Sequence, residues 1–253
     1  MATLRLRSTA EVDHTVVHAS GLLTLHSVPA LRAILLKGLT DVGRVVAEVA
    51  GVRLLGPSCA LVFPAVQAAA GGWPRARLAI AGADLNFRAA LRASRIDGFV
   101  PLASNQADAL RRLDARPSRL RQIFHAEGVP SAIARSRWFA RDVCEDWLLG
   151  EEMSEAAVLI VNELVTNGVA HAGTASRVKL ELWPAGLTVS VRDGSPDQPV
   201  LRAPTAAEPH GRGLRLIEHL AAEWGVIRHP EGKTVWALLP LPPGPRAHRS
   251  RLG

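Results

Sequence analysis

The sequence predicts two successive mixed α/β domains: an α/β layer in the first half and an α+β sandwich with helices on one face in the second. Three observations lead there. In residues 1–114, apolar strand-like runs alternate with segments whose apolar residues recur at helical spacing. In residues 120–240, two long amphipathic helical patterns precede hairpin-like strand pairs. Between them, Ala115-Arg-Pro-Ser-Arg119 is polar and carries proline, the character of a linker.

In order along the chain, Thr15 to Gly21 is strand-like. Val28, Leu31, Ile34, Leu35 and Leu39 mark a helix, and the β-branched run from Arg44 to Val49 a strand that ends at Gly51. Cys59 to Ala70 reads as a helix that Pro64 either kinks or starts. After the break Gly71-Gly72-Trp73-Pro74 come a buried strand from Arg77 to Gly82, a helix from Leu85 to Ser94, a short strand from Phe99 to Leu102 and a helix from Asn105 to Leu113. The second half predicts a strand from Leu120 to His125, helices from Ser131 to Leu149 and from Glu155 to His171, and strands Val178–Trp183 and Leu187–Arg192. A polar, proline-bearing loop from Ser195 to Pro209, a helix Leu214–Ala222 and strands 225–227 and 234–239 complete it. The four prolines of the segment after Leu239 predict a loose tail, 241–253.

Composition narrows the function classes. With 48% apolar and 21% charged residues the chain is globular in character. It holds no apolar run of the about 18 to 20 residues that span a bilayer, and its first residues lack a secretory apolar core, so a cytoplasmic protein without a membrane partner is expected. Cys59 and Cys144 make neither a disulfide framework nor a zinc spacing. The net charge of +7 comes from scattered arginines with no tyrosine and no aromatic-studded basic stretch, so no direct nucleic-acid partner is expected; a solvated surface or an acidic protein partner accounts for the charge.

Three patterns in the second half carry chemistry. Glu163, Asn167 and His171 recur every fourth residue and share one helical face, opposite Leu159, Ile160, Leu164 and Val165. A carboxamide oxygen there suits Mg²⁺ held mainly by phosphates, and a carboxylate can take a proton from an attacking hydroxyl; a solvated polar face has the same pattern. Asp193 ends an apolar strand and Gly194 follows. The carboxylate can accept from an exocyclic amine and the glycine lets a flat base lie against the backbone, although an ordinary Asp-Gly turn looks alike. His210-Gly211-Arg212-Gly213-Leu214 opens a helix with N–H groups free for an anion and a guanidinium beside them. No Walker loop occurs.

In this order the three patterns resemble the GHKL, or Bergerat-fold, ATPases, and among them the bacterial anti-sigma-factor serine kinases. ELVTNGVAHAG is similar to the family's N box, VRDGSP to its first glycine box, HGRGLRLIEHLAAEWGV to its second, and Gly232-Lys233-Thr234-Val235-Trp236-Ala237 to its late strand. The resemblance implies a Bergerat-type sandwich over 120–240 that binds ATP with Mg²⁺. Glu163 would be the base, Asn167 would hold the metal, and Asp193 with Gly194 would take adenine. Gly211, Arg212, Gly213 and Leu214 would line the phosphates, Thr234 would support the adenine pocket, and Ser195–Pro209 would form a lid. It also implies protein partners, a sigma factor or an anti-sigma-factor antagonist, and the family habit of a homodimer.

The first half resembles the STAS domain of those antagonists through Val16-Val17-His18-Ala19-Ser20-Gly21, Leu31-Arg32, Val45 to Gly51, Gly82 and Leu91. The antagonists' phosphorylated loop reads roughly Asp-Ser-Ser-Gly, whereas this chain has Gly56-Pro57-Ser58-Cys59, with proline at the acceptor place. Ser58 is then a helix cap or, less simply, a phosphosite. The expected activity is transfer of the ATP γ-phosphoryl group to a serine of a partner antagonist, sigma-factor binding, or both. The alternative is a non-catalytic module whose partner affinity ATP sets. A two-component histidine kinase fits poorly, since neither His125 nor His171 sits in a helical hairpin ahead of the ATP domain.

Overall fold

The computed structural model describes residues 3–169, 173–195 and 212–241. The chain divides into two compact units, Met1–Leu120 and Arg121–Gly253. Each has a five-stranded sheet with helices packed on it, the mixed α/β class expected from the alternation of segments.

The first unit runs β1 (Arg5–Ala10), β2 (Thr15–Leu23), α1 (Val28–Asp41), β3 (Arg44–Leu54), α2 (Val62–Ala69), β4 (Arg77–Ala81), α3 (Leu85–Ala93), β5 (Leu102–Ala103) and α4 (Gln106–Leu113). The sheet order is β1-β2-β3-β4-β5, parallel except for the antiparallel β1–β2 pair. Its central strands are buried on both faces, which is why they read as continuous apolar runs rather than alternating ones. Val17, Val45, Leu78 and Ile80 join the core that holds Leu31 and Leu35 of α1, Phe63 of α2 and Phe87 of α3. Val46, Ala79 and Ala81 join a smaller core with Ala109 and Leu113 of α4.

Three elements here differ from the sequence expectation. The edge strand β1 has no buried residue and a mostly polar sequence, so only its pairing with β2 makes it a strand. The strand expected at Phe99–Leu102 shortens to Leu102–Ala103, because a 3-10 turn at Ile96–Gly98 precedes it and Val100 packs into the core. The helix expected from Cys59 splits into a 3-10 turn, Pro57–Leu61, and α2, with Pro64 in the first turn of α2, where its missing N–H is harmless. Gly56 stands at the cap of that 3-10 turn with no side-chain cap bond; Ser58 lies inside it, exposed, and is no cap.

The second unit comprises β6 (Leu120–Ala126, whose first residue is the last of the first unit), α5 (Ser131–Asp146), α6 (Glu151–Asn167), β7 (Ser176–Trp183), β8 (Gly186–Asp193), α7 (Arg212–Leu220), β9 (Glu223–His229) and β10 (Gly232–Pro240). The sheet order is β6-β7-β8-β10-β9, with β7–β8, β8–β10 and β10–β9 antiparallel. Val178, Leu180 and Leu182, Leu187, Val189 and Val191, and Val235, Ala237 and Leu239 alternate onto one buried face. Helix α6 packs against β7, β8 and β10 there, with α5 beside it.

Helix α5 stops three residues before the expected end. Leu148 takes a left-handed φ of 55° and the Leu149 N–H closes onto the Cys144 carbonyl, the hydrogen bond of a Schellman stop. Gly150, at φ 78°, then lets α6 begin at Glu151 rather than Glu155, with Glu151 and Glu152 in its first turn favouring the helix dipole. Among the described residues no helix is long and apolar enough to cross a membrane.

Candidate functional site

Helix α6 brings the first group of residues to the site. Its buried stripe runs through Met153, Ala157, Val158, Ile160, Val161, Leu164 and Val165, which leaves Glu163 and Asn167 half-buried beside it. Leu159, expected on the apolar stripe, is 43% exposed; 3.6-residue periodicity turns it toward solvent. Asn162 Nδ2 donates to Glu163 Oε1 at 3.3 Å, and Asn162 Oδ1 accepts from Arg137 of α5 at 2.8 Å. The partner helix thus steadies the carboxylate through one intermediate amide.

After Asn167 the helix widens by a π-type turn at Gly168 and Val169. A Cβ added at Gly168 would lie 2.7 Å from Ser176 Oγ and 3.8 Å from Asp193 Cβ. Only a hydrogen at this position lets the end of α6 settle on the ends of β7 and β8. The carboxyl end of the Glu163–Asn167 helix and Asp193 therefore meet. His171 lies outside the described residues.

Asp193 is buried, and its Oδ1 accepts from the Ser195 N–H at 3.0 Å and from Lys233 Nζ at 3.1 Å. Lys233 also donates to the Ser195 carbonyl at 3.3 Å. Gly194 donates its N–H to Thr174 Oγ1 at 3.1 Å. Beneath this turn Gly232, at φ 132°, passes so close to β8 that a Cβ would stand 2.0 Å from the Asp193 carbonyl oxygen.

The register between β8 and β10 corrects one expectation. Lys233 pairs with Asp193, and Thr234 pairs with Arg192. Paired residues of an antiparallel ladder point to the same face and successive residues to opposite faces. Thr234 therefore stands on the other side of the sheet from Asp193, hydrogen-bonded to His229 Nε2 at 2.9 Å. Lys233, rather than Thr234, stands beside Asp193. The signal was present in the sequence: Lys233 is in phase with Val235 and Ala237, as Asp193 is with Val191 and Val189.

A cleft of about 310 Å³ opens at this end of the sheet, lined by His125, Ser176, Arg177, Arg192, Asp193 and Glu231 among others. His125 is on β6, not in a helical hairpin. On the sheet face away from α6, Glu181 is held by Arg121 at 2.6 Å and Lys179 at 2.5 Å. Burial alone would raise this carboxyl, but the Lys179 hydrogen bond and the two nearby cations outweigh it and hold it below its usual value. A larger cleft, about 640 Å³, lies between α5 and the start of α6 around Arg141, Cys144 and Ser154, away from Asn167 at the far end of α6. Burial pushes the Cys144 thiol up to about 12.

Arg212, Gly213 and Leu214 form the first turn of α7, which packs against α6. Gly211 and residues 196–209 of the expected lid lie outside the described residues. The described residues contain no group of three or more His, Cys, Asp or Glu able to hold a metal ion. The donor set on offer is a single carboxamide, Asn167, which suits only a metal whose other ligands are phosphate and water.

Among solved structures, an anti-sigma factor antagonist from Mycobacterium paratuberculosis is similar at 18% identity, over 44% of this chain and 94% of that one, with a TM-score of 0.40. The anti-sigma factor antagonist SpoIIAA in its unphosphorylated form is similar at 14% identity, over 44% of this chain and 98% of that one, with a TM-score of 0.36. No curated protein matches the chain. Residues 127–239, which contain every side chain named at the α6–β8 junction, match the family of histidine kinase-like ATPase domains.

Proposed function

We propose that the second unit binds ATP with Mg²⁺ at the junction of α6, β8 and α7, and that the chain is a partner-switching regulator. The observation that carries this reading is the approach of Gly168 to Asp193, which joins the Glu163–Asn167 helix to the Asp193-Gly194 turn within a segment matching an ATPase family. Asp193 accepts the exocyclic amine of adenine and Gly194 leaves room for its ring. Asn167 would contribute a neutral oxygen to Mg²⁺, which when bound would supply charge neutralisation at the phosphates. Gly211, Arg212, Gly213 and Leu214 receive the phosphates at the head of α7, where N–H groups and the helix dipole favour anions.

Glu163 then takes the proton of an attacking serine hydroxyl from a partner antagonist as the serine oxygen bonds to the γ-phosphorus, the bond to the β–γ bridging oxygen breaks and ADP leaves. Its hydrogen bond from Asn162 orients the carboxylate and leaves Oε2 free of any bond to a described residue. The resemblance of the first half to antagonists supports a protein partner of that kind or a sigma factor. With Pro57 at the acceptor place, a separate antagonist is the expected substrate rather than the chain's own first half.

The test is transfer of labelled phosphate from ATP to a candidate antagonist, with nucleotide binding measured in parallel. Glu163→Ala is expected to abolish transfer and keep ATP binding. Binding without any transfer by the wild-type chain would leave a non-catalytic module gated by ATP, and absence of binding would refute both.

A further inference from the structure

A row of three polar side chains crosses the sheet beneath Gly168, and one of them has no hydrogen-bond partner among the described residues. Continuing the β7–β8 register one step past Arg177↔Arg192 brings Ser176 opposite Asp193, and Lys233 pairs with Asp193 from the other side. The order across the three strands is therefore Ser176, Asp193, Lys233, all on the face that α6 covers. Lys233 and Ser195 both engage Asp193 Oδ1. Oδ2 receives no hydrogen bond from any described residue. Ser176 is 4% exposed, its Oγ has no hydrogen-bond partner among the described residues, and it lines the same cleft as Asp193.

A buried hydroxyl without a partner is a standing cost, because water has been removed and nothing replaces it. Alanine would fill the same space without that cost. Each unsatisfied buried polar group in a folded protein calls for an explanation, and a ligand that completes it is one.

We infer that Ser176 is a nucleobase contact that reads the ring nitrogen next to the exocyclic amine of adenine. This rests on the ATP-binding reading above. The edge of adenine presents a donor, the 6-amino group, beside an acceptor, N1. Asp193 is acceptor only, and a serine hydroxyl is also a donor, so the adjacent pair Asp193–Ser176 matches that edge in order. The Lys233 hydrogen bond to Oδ1 fixes the orientation of the Asp193 carboxylate, which holds the acceptor in place while the hydroxyl rotates to donate. The ligand class is a 6-aminopurine nucleotide. A 6-oxopurine reverses the polarity at the position Asp193 meets, and two acceptors would then face each other.

The experiment is calorimetric titration of the full chain and its Ser176→Ala variant with Mg-ATP and with the Mg complex of 1-deaza-ATP, which lacks the N1 acceptor. Urea unfolding of both chains runs alongside. For the wild type, loss of N1 is expected to weaken binding about tenfold, the worth of one hydrogen bond. Ser176→Ala is expected to weaken ATP by the same factor, to leave 1-deaza-ATP unchanged, and to be no less stable than the wild type. Equal ATP affinity in the two chains overturns the inference, and so does equal weakening of both nucleotides by the variant. If the wild type binds no nucleotide at all, the ATP-binding reading itself fails and this one falls with it.

Discussion

Replacing Lys233 by methionine tests the polar row at its most costly point. The side chains of Lys233 and Asp193 are 11% and 5% exposed, and their ion pair spans 3.1 Å. Methionine keeps the volume of the lysine stem but removes the charge, so Asp193 retains one of its two described hydrogen bonds, from the Ser195 N–H, and loses its cation. Breaking a buried ion pair by removing one partner costs about 3 to 5 kcal/mol, because the remaining charge is stranded away from water. Since Lys233 is not sealed off completely, the lower end, about 3 kcal/mol, is expected. Five of the six tryptophans, Trp138, Trp147, Trp183, Trp224 and Trp236, lie in the second unit, so tryptophan fluorescence during urea unfolding follows that unit. With a urea slope of about 2 kcal/mol per molar, the midpoint should fall by roughly 1.5 M. The double variant Lys233→Met with Asp193→Leu should recover most of the loss, since an apolar pair of similar volume leaves no stranded charge. A single-variant cost below about 1 kcal/mol, or a double variant worse than the single, would show that the pair is hydrated and refute the argument.

Other consequences are open to direct measurement. Gly232→Ala should lower the same unfolding midpoint sharply and weaken ATP binding, because its Cβ would overlap the Asp193 carbonyl at 2.0 Å at a φ of 132°. Because the Glu181 carboxyl is held below its usual 4.5, the stability it contributes is complete above about that pH and is lost as pH falls through the lowered value. Glu181→Gln should therefore flatten the acid side of the stability profile of the second unit. Neither cysteine should react with a thiol reagent at pH 8 in the native chain, since both are buried and the Cys144 thiol is pushed up to about 12; labelling should appear only with urea.

How far the sequence reached varies with the kind of contact. The long helices and buried strands were legible because burial repeats with a period of 3.6 or as a continuous run, as in α6 and in Val45 to Ala47. Strand β1 was not legible: its edge position buries nothing, and a polar strand has no pattern of its own. The stop at Leu148 was hidden because left-handed helix stops usually carry glycine and here the residue is leucine.

What the sequence determined alone is the long helices, the buried strands and the pattern Glu163, Asn167, Asp193-Gly194 and Gly211-Arg212-Gly213, since local periodicity and local turn chemistry are written residue by residue. What only the tertiary structure decided is which neighbours those residues meet. The phase between β8 and β10 gave Asp193 to Lys233 and turned Thr234 away, and the missing side chain of Gly168 set Ser176 beneath the end of α6. Pairing across strands depends on register, and a shift of one residue exchanges the two faces, so no reading of either strand by itself contains it.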